Sequence, residues 1–135
     1  MGSIREPFDE AKFDEEVAKP MTMRGYLGKV KCPTLLVTGE FDPLCPLEDA
    51  VEAFGDLKVP KEMWVIENQY HPLWGLPNFG GMDCHDYVMD WLKLLFSGKR
   101  VPKKAGRISY IKENGDGPWG DCAWTPPIKK GQAYF

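Results

Sequence analysis

The sequence predicts an α/β fold: two parallel strands with flanking helices, forming a sheet that is incomplete alone. Three observations predict it. A continuous apolar run, Thr34 to Val37, is bounded by Pro33 and Gly39, which fits a short strand covered on both faces rather than an alternating surface strand. A second run, Met63 to Glu67, follows about one crossover later. The segments after each run carry apolar residues at helical spacing, and a strand–helix–strand unit of this length is normally a parallel crossover.

Taken in order, residues 7–19 (PFDEAKFDEEVAK) predict a short amphipathic helix. Phe8, Phe13 and Val17 share a face, acids crowd the early turns, and Lys19-Pro20 marks the stop. Residues 21–31 form a connector with Met23, Tyr26, Leu27 and Val30 as expected anchors. The first strand is expected over Pro33 to Thr38. A helix follows over Pro46 to Leu57: proline suits its first turn, Glu48 and Asp49 complement its N-terminus, and Leu47, Val51 and Phe54 form its apolar face. The second strand is expected over Glu62 to Glu67, then a loop rich in Pro, Gly and aromatics over 68–81. A last helix spans Asp83 to Phe96, with Val88, Trp91, Leu92 and Leu95 as its stripe and Ser97-Gly98 as its end. Beyond residue 99, Ile108 to Ile111 suits a short strand. The remaining aromatics (Trp119, Trp124, Tyr134, Phe135) either wrap a body or belong to a partly disordered tail. Three regions result: 1–21, an N-terminal helix and linker; 22–98, the α/β segment; 99–135, an aromatic-rich tail.

At 135 residues the chain has room for one modest domain. Its 43% hydrophobic and 27% charged residues are those of a globular protein. The net charge of -3, with both signs interspersed, argues against general nucleic-acid binding. Cys32, Cys45, Cys84 and Cys122 show neither CxxC spacing nor a paired histidine pattern, so no zinc site is expected. There is no dinucleotide fingerprint or phosphate loop, and hence no expected cofactor. No apolar run approaches the ~18 residues of a membrane span and no signal peptide is evident. A soluble cytoplasmic protein with reduced thiols is the expectation.

Asp42 and His71 are the central candidates. Asp42 lies just past the C-terminal end of the first strand and His71 just past the second, where open α/β sheets build their active sites. A buried aspartate can hold an imidazole in one tautomer and stabilise its protonated form while the ring moves a proton. Each has a plainer reading: aspartate before proline also makes turns, and a histidine before Pro72 also suits a surface loop. Their joint placement favours chemistry. His85, in the first turn of the last helix, reads as a surface histidine, since a charged imidazole is disfavoured there. Glu40 is an alternative acid, or else a residue that caps or faces solvent. No nucleophile is evident: Ser3, Ser97 and Ser109 lack the GxSxG elbow, and Cys45 and Cys122 lack comparable surroundings.

Residues 22–97 resemble the C-terminal part of an α/β-hydrolase. The segment TMRGYLGKVKCPTLLVTGEFDPLCPLEDA is similar to the connector, seventh strand and acid turn of that fold. KEMWVIENQYHPL is similar to its eighth strand and histidine loop, and MDCHDYVMDWLKLLF to its final helix. FrsA-like esterases and fungal polyketide-shortening hydrolases of the yellowish-green type look most similar. The resemblance covers about 75 of the 135 residues. It implies that Asp42 is the triad acid and His71 the general base. It also implies a serine nucleophile, an oxyanion hole and a substrate pocket, which a full family member would carry upstream of Met1.

Two functions are therefore expected to compete. In one, the chain supplies the triad acid and base of a serine-type hydrolase when combined with an N-terminal half, acting on a small-molecule acyl substrate through an ester, a thioester or a C–C bond next to a carbonyl. In the other it is a non-catalytic remnant that dimerises or binds protein through an exposed strand edge and the aromatic tail. Both require a protein partner, an N-terminal half or a second copy, and neither a nucleic acid nor a membrane.

Overall fold

The structure is a computed structural model that describes residues 7–71, 73 and 84–112. In chain order it contains α1 (Glu10–Phe13), continued by a wider helical turn over Asp14–Ala18, and a short 3-10 turn at Leu27–Lys29. Then follow β1 (Thr34–Gly39), α2 (Leu47–Asp56), β2 (Lys61–Ile66), α3 (Cys84–Phe96) and β3 (Arg107–Ile111). The three strands form one parallel sheet in the order β1-β2-β3.

All six residues of β2 are buried, because it is paired on both edges and covered on both faces. Met63 and Val65 pack on Leu47, Ala50 and Phe54 of α2, joined by Leu36, Ile108 and Tyr110. Trp64 and Ile66 point the other way, onto Tyr87 and Trp91 of α3, with Leu35, Val37 and Ile111 alongside. The alternation of a strand thus feeds two cores. Each large apolar side chain so buried contributes about 1.5–3 kcal/mol, which makes β2 the stabilising centre of the sheet. The strand order advances in one direction while α2 and α3 lie on opposite faces. The two crossovers therefore have opposite hands, and one departs from the strong right-handed preference.

Four expectations are corrected. Among the described residues the sheet has three strands rather than two, because β3 from the 99–135 region pairs with the far edge of β2. This leaves β1 and β3 as the edges among those residues. The doubly covered strand is β2, whereas Thr34–Val37 of β1 are only half-buried, since an edge strand lacks a neighbour whose side chains would close over it. The N-terminal helix is shorter than expected and buries none of its residues. Phe8, Phe13 and Val17 are exposed, and Phe8 stacks on Phe13 instead of on the sheet. Of the connector's expected anchors, Met23 and Tyr26 are exposed and only Leu27 and Val30 are half-buried. The expected 68–81 loop is described only at 68–71 and 73, and the aromatic tail from residue 113 lies outside the described residues.

Adjacent charged residues at the start of β2 tie the two helices to the sheet. The buried Lys61 ammonium donates to the carbonyls of Phe54 (2.6 Å) and Leu57 (2.8 Å), the open C-terminal end of α2. Burial, then the nearby Lys58, holds its pKa below the usual lysine range. On the opposite face, buried Glu62 accepts from Trp91 Nε1 (3.2 Å) and from Arg100 through Nε (3.1 Å) and Nη2 (2.8 Å). Removing the Lys61 ammonium strands two inward carbonyls, so Lys61→Met is expected to lower unfolding free energy by about 1–3 kcal/mol in urea titration. An unchanged midpoint would show that the cap is not stabilising.

Candidate active site

Asp42 and His71 meet beyond the C-terminal ends of β1 and β2, and the backbone explains how. After Ile66 the chain turns at Asn68, whose φ of 55° lies in the left-handed region that asparagine tolerates better than most residues. It then folds back over the end of β1, where the Phe41 N–H donates to the Gln69 carbonyl at 3.0 Å. Only glycine fits at position 39: a Cβ there would lie 2.4 Å from the Gln69 carbonyl oxygen and 2.8 Å from its carbon. The Glu40 N–H continues the strand pairing to the Ile66 carbonyl (3.0 Å), which brings the acid turn and the histidine segment side by side.

At this crossing His71 Nδ1 lies 2.9 Å from Asp42 Oδ2. The second carboxylate oxygen, Oδ1, accepts from the N–H groups of Leu44 (2.8 Å) and Cys45 (3.2 Å), closing an Asx turn ahead of α2. Asp42 is 4% exposed, while the His71 side chain is 53% exposed. Burial pushes the Asp42 carboxyl up. The Leu44 N–H, the His71 ring, the Cys45 N–H and the imidazole charge outweigh that and hold it below its ordinary 3.8. An ionised carboxylate only accepts, so the proton between the two residues belongs to Nδ1 and the neutral ring is unprotonated at Nε2. An imidazole fixed in this way, with its outer face open, can take a proton from a hydroxyl and return it.

The other candidates lie elsewhere or are inert. Glu40 is not the acid for His71; of its expected alternatives it takes the capping one. Its Oε2 accepts from the Asn68 N–H (3.1 Å) and the Tyr110 hydroxyl (2.8 Å), joining the ends of all three strands. His85 is exposed on α3. Ser109 is buried within β3 opposite Trp64, and Ser97 Oγ donates to the Leu94 carbonyl at the end of α3. Partial enclosure of its sulfur, then the charges of Asp42 and Asp49, raise the Cys45 thiol, although the residue as a whole is exposed. A thiol raised in this way is a poor nucleophile. Ser3 and Cys122 lie outside the described residues. Among the described residues no cluster of three or more His, Cys, Asp or Glu is arranged to hold a metal ion, and no helix is long and apolar enough to cross a membrane.

Gly39, Asn68 and Tyr110 are the site-forming residues that the sequence reading did not assign. Glycine straight after a strand and asparagine two residues past one are the signals that point to the first two. Nothing local marks Tyr110, whose partner lies 70 residues away. Comparison with protein-family models, with curated proteins and with solved structures found no match for this chain.

Two outcomes follow from this geometry. Gly39→Ala forces backbone against backbone, so it is expected to cost at least about 2 kcal/mol and to move the His71 amide resonance; a stable variant with an unmoved His71 would contradict the close crossing. Asp42 has a folded pKa below its unfolded value, so its ionisation stabilises the fold above pH 3.8 and this contribution fades as the pH falls through the lower folded value. Asp42→Asn is therefore expected to be destabilising in urea titration at pH 7, with the deficit shrinking below pH 3.8. A deficit independent of pH would assign the loss to shape alone.

Proposed function

We propose that this chain is the C-terminal portion of an α/β-hydrolase sheet and supplies the acid and base of a serine-type catalytic triad. The observation that carries the reading is the 2.9 Å contact between a buried, ionised Asp42 and a half-exposed His71, each just beyond the end of a parallel strand. Asp42 orients the ring and stabilises its charge. His71 Nε2 takes the proton from a serine Oγ as that oxygen attacks the substrate carbonyl, then gives it to the leaving group. The substrate is an ester, a thioester or a C–C bond next to a carbonyl.

The serine and the oxyanion donors come from chain outside these 135 residues, on a partner that completes the sheet. β1 supports this: among the described residues it is an edge of the sheet, and Leu35, Leu36 and Val37 are only half-buried along it. Such an edge accepts a further strand.

Combination with an N-terminal hydrolase half bearing GxSxG is expected to give hydrolysis of a simple aryl ester. His71→Ala is expected to reduce kcat by about 10³-fold or more, and Asp42→Asn to reduce it substantially with KM little changed. No hydrolysis by the combined chains, or full activity in His71→Ala, would sink the proposal. The same open edge favours a second reading, a protein-binding or self-pairing module without catalysis. A particle mass of two copies, with no ester hydrolysis in any combination, would select it.

A further inference from the structure

The segment that carries His71 is tied to the sheet at two backbone points. One is the Gln69 carbonyl, which accepts from the Phe41 N–H. The other is the Asn68 N–H, which donates to Glu40 Oε2 at 3.1 Å. A glutamate side chain has three rotatable bonds, so it fixes Asn68 only if its own carboxylate is fixed. The Tyr110 hydroxyl, donating to the same oxygen at 2.8 Å, supplies that constraint. Tyr110 is anchored in turn: it is paired with Val65 in the sheet and packed into the core beneath α2. We infer that Glu40 and Tyr110 are a positioning pair that holds the Asn68–His71 segment in place, so that the His71 ring rests on Asp42 and β3 takes part in a site two strands away.

The inference rests on the acid–base roles proposed for Asp42 and His71 and adds to them the residues that keep the two together. The charges that face the hydroxyl suit the role. Burial, then Glu40 and Glu67, raise the phenol well above the usual tyrosine range, so it remains a donor throughout the pH range in which a histidine works as a base. The carboxylate shared between a backbone N–H and a phenol is a charge-assisted arrangement, stronger than its neutral counterpart. Glu40 precedes Asp42 by two residues and Asn68 precedes His71 by three. A shift of either tie is thus passed along a short stretch of chain to the 2.9 Å contact.

The positioning pair is tested on the full 135-residue chain by itself, and the hydrolase reading is checked separately on reconstitution with a partner and an ester. A histidine Nδ1 proton bonded to a carboxylate gives a far-downfield proton resonance, and its exchange with water reports how often the ring leaves Asp42. The wild-type chain is expected to show it near neutral pH. Tyr110→Phe, which removes one oxygen, and Glu40→Ala are expected to speed its exchange about tenfold or abolish the resonance. Glu40→Gln keeps an oxygen that accepts from Asn68 and is expected to fall between. Lys61→Met, which weakens the fold at the far end of β2, is expected to leave the exchange unchanged and so separates positioning from stability. Wild-type exchange in both Tyr110→Phe and Glu40→Ala overturns the positioning pair and leaves the acid–base reading standing. Absence of the resonance in the wild-type chain overturns both. Loss of ester hydrolysis on reconstitution, with the resonance and its mutant pattern intact, overturns the hydrolase reading alone.

Discussion

The site depends on a crossing of two backbones, Gly39 beneath Gln69. Without a side chain at position 39 the segment after β2 can settle onto the end of β1, accept the Phe41 N–H at its Gln69 carbonyl and deliver His71 to Asp42. A methyl group at this point would meet backbone atoms, which cannot move as the end of a flexible side chain does. The left-handed turn at Asn68 is the other half of the constraint, because it reverses the chain within two residues of the strand. Asp42 then needs little else. Two N–H groups from the following turn and one imidazole satisfy a carboxylate whose charge burial alone disfavours.

Below the site, one strand organises everything. β2 sends alternate side chains into two separate cores, and its first two residues carry opposite charges to opposite faces, Lys61 to the end of α2 and Glu62 to Trp91 and Arg100. Buried charges of this kind are costly unless every donor and acceptor is met. Here two helix carbonyls take two of the three ammonium protons on one face, and a two-pronged guanidinium and an indole N–H meet the carboxylate on the other. β3 pairs with this strand, and its Tyr110 passes from the core beneath α2 to the rim where Glu40 lies. The far side of β1 has no such neighbour among the described residues, which is why the proposed function includes a partner for it.

Much of the architecture was legible along the chain. β1, α2, β2 and α3 each lie within one residue of the bounds that apolar runs, proline positions and acidic first turns suggest. Asp42 and His71 were legible because strand ends are where a parallel sheet gathers its polar side chains. The N-terminal stretch misled, since the spacing of Phe8, Phe13 and Val17 describes a face that a helix can bury and not whether any surface lies within reach. The continuous run of β1 misled likewise, because burial on both faces belongs to whichever strand has two neighbours.

Local chemistry was enough to suggest the alternation of strands and helices and to single out Asp42 and His71 at the strand ends, since periodicity, turn residues and strand ends are encoded within a dozen positions. Folding in three dimensions settled the rest: which strand is central, that β3 joins the sheet, and that Asp42 and His71 lie 2.9 Å apart. It also recast Glu40 from a surface acid into the link between three strand ends. The physical reason is separation along the chain. Glu40 and Tyr110 are 70 residues apart, and a hydrogen bond over that distance leaves no local trace in the sequence.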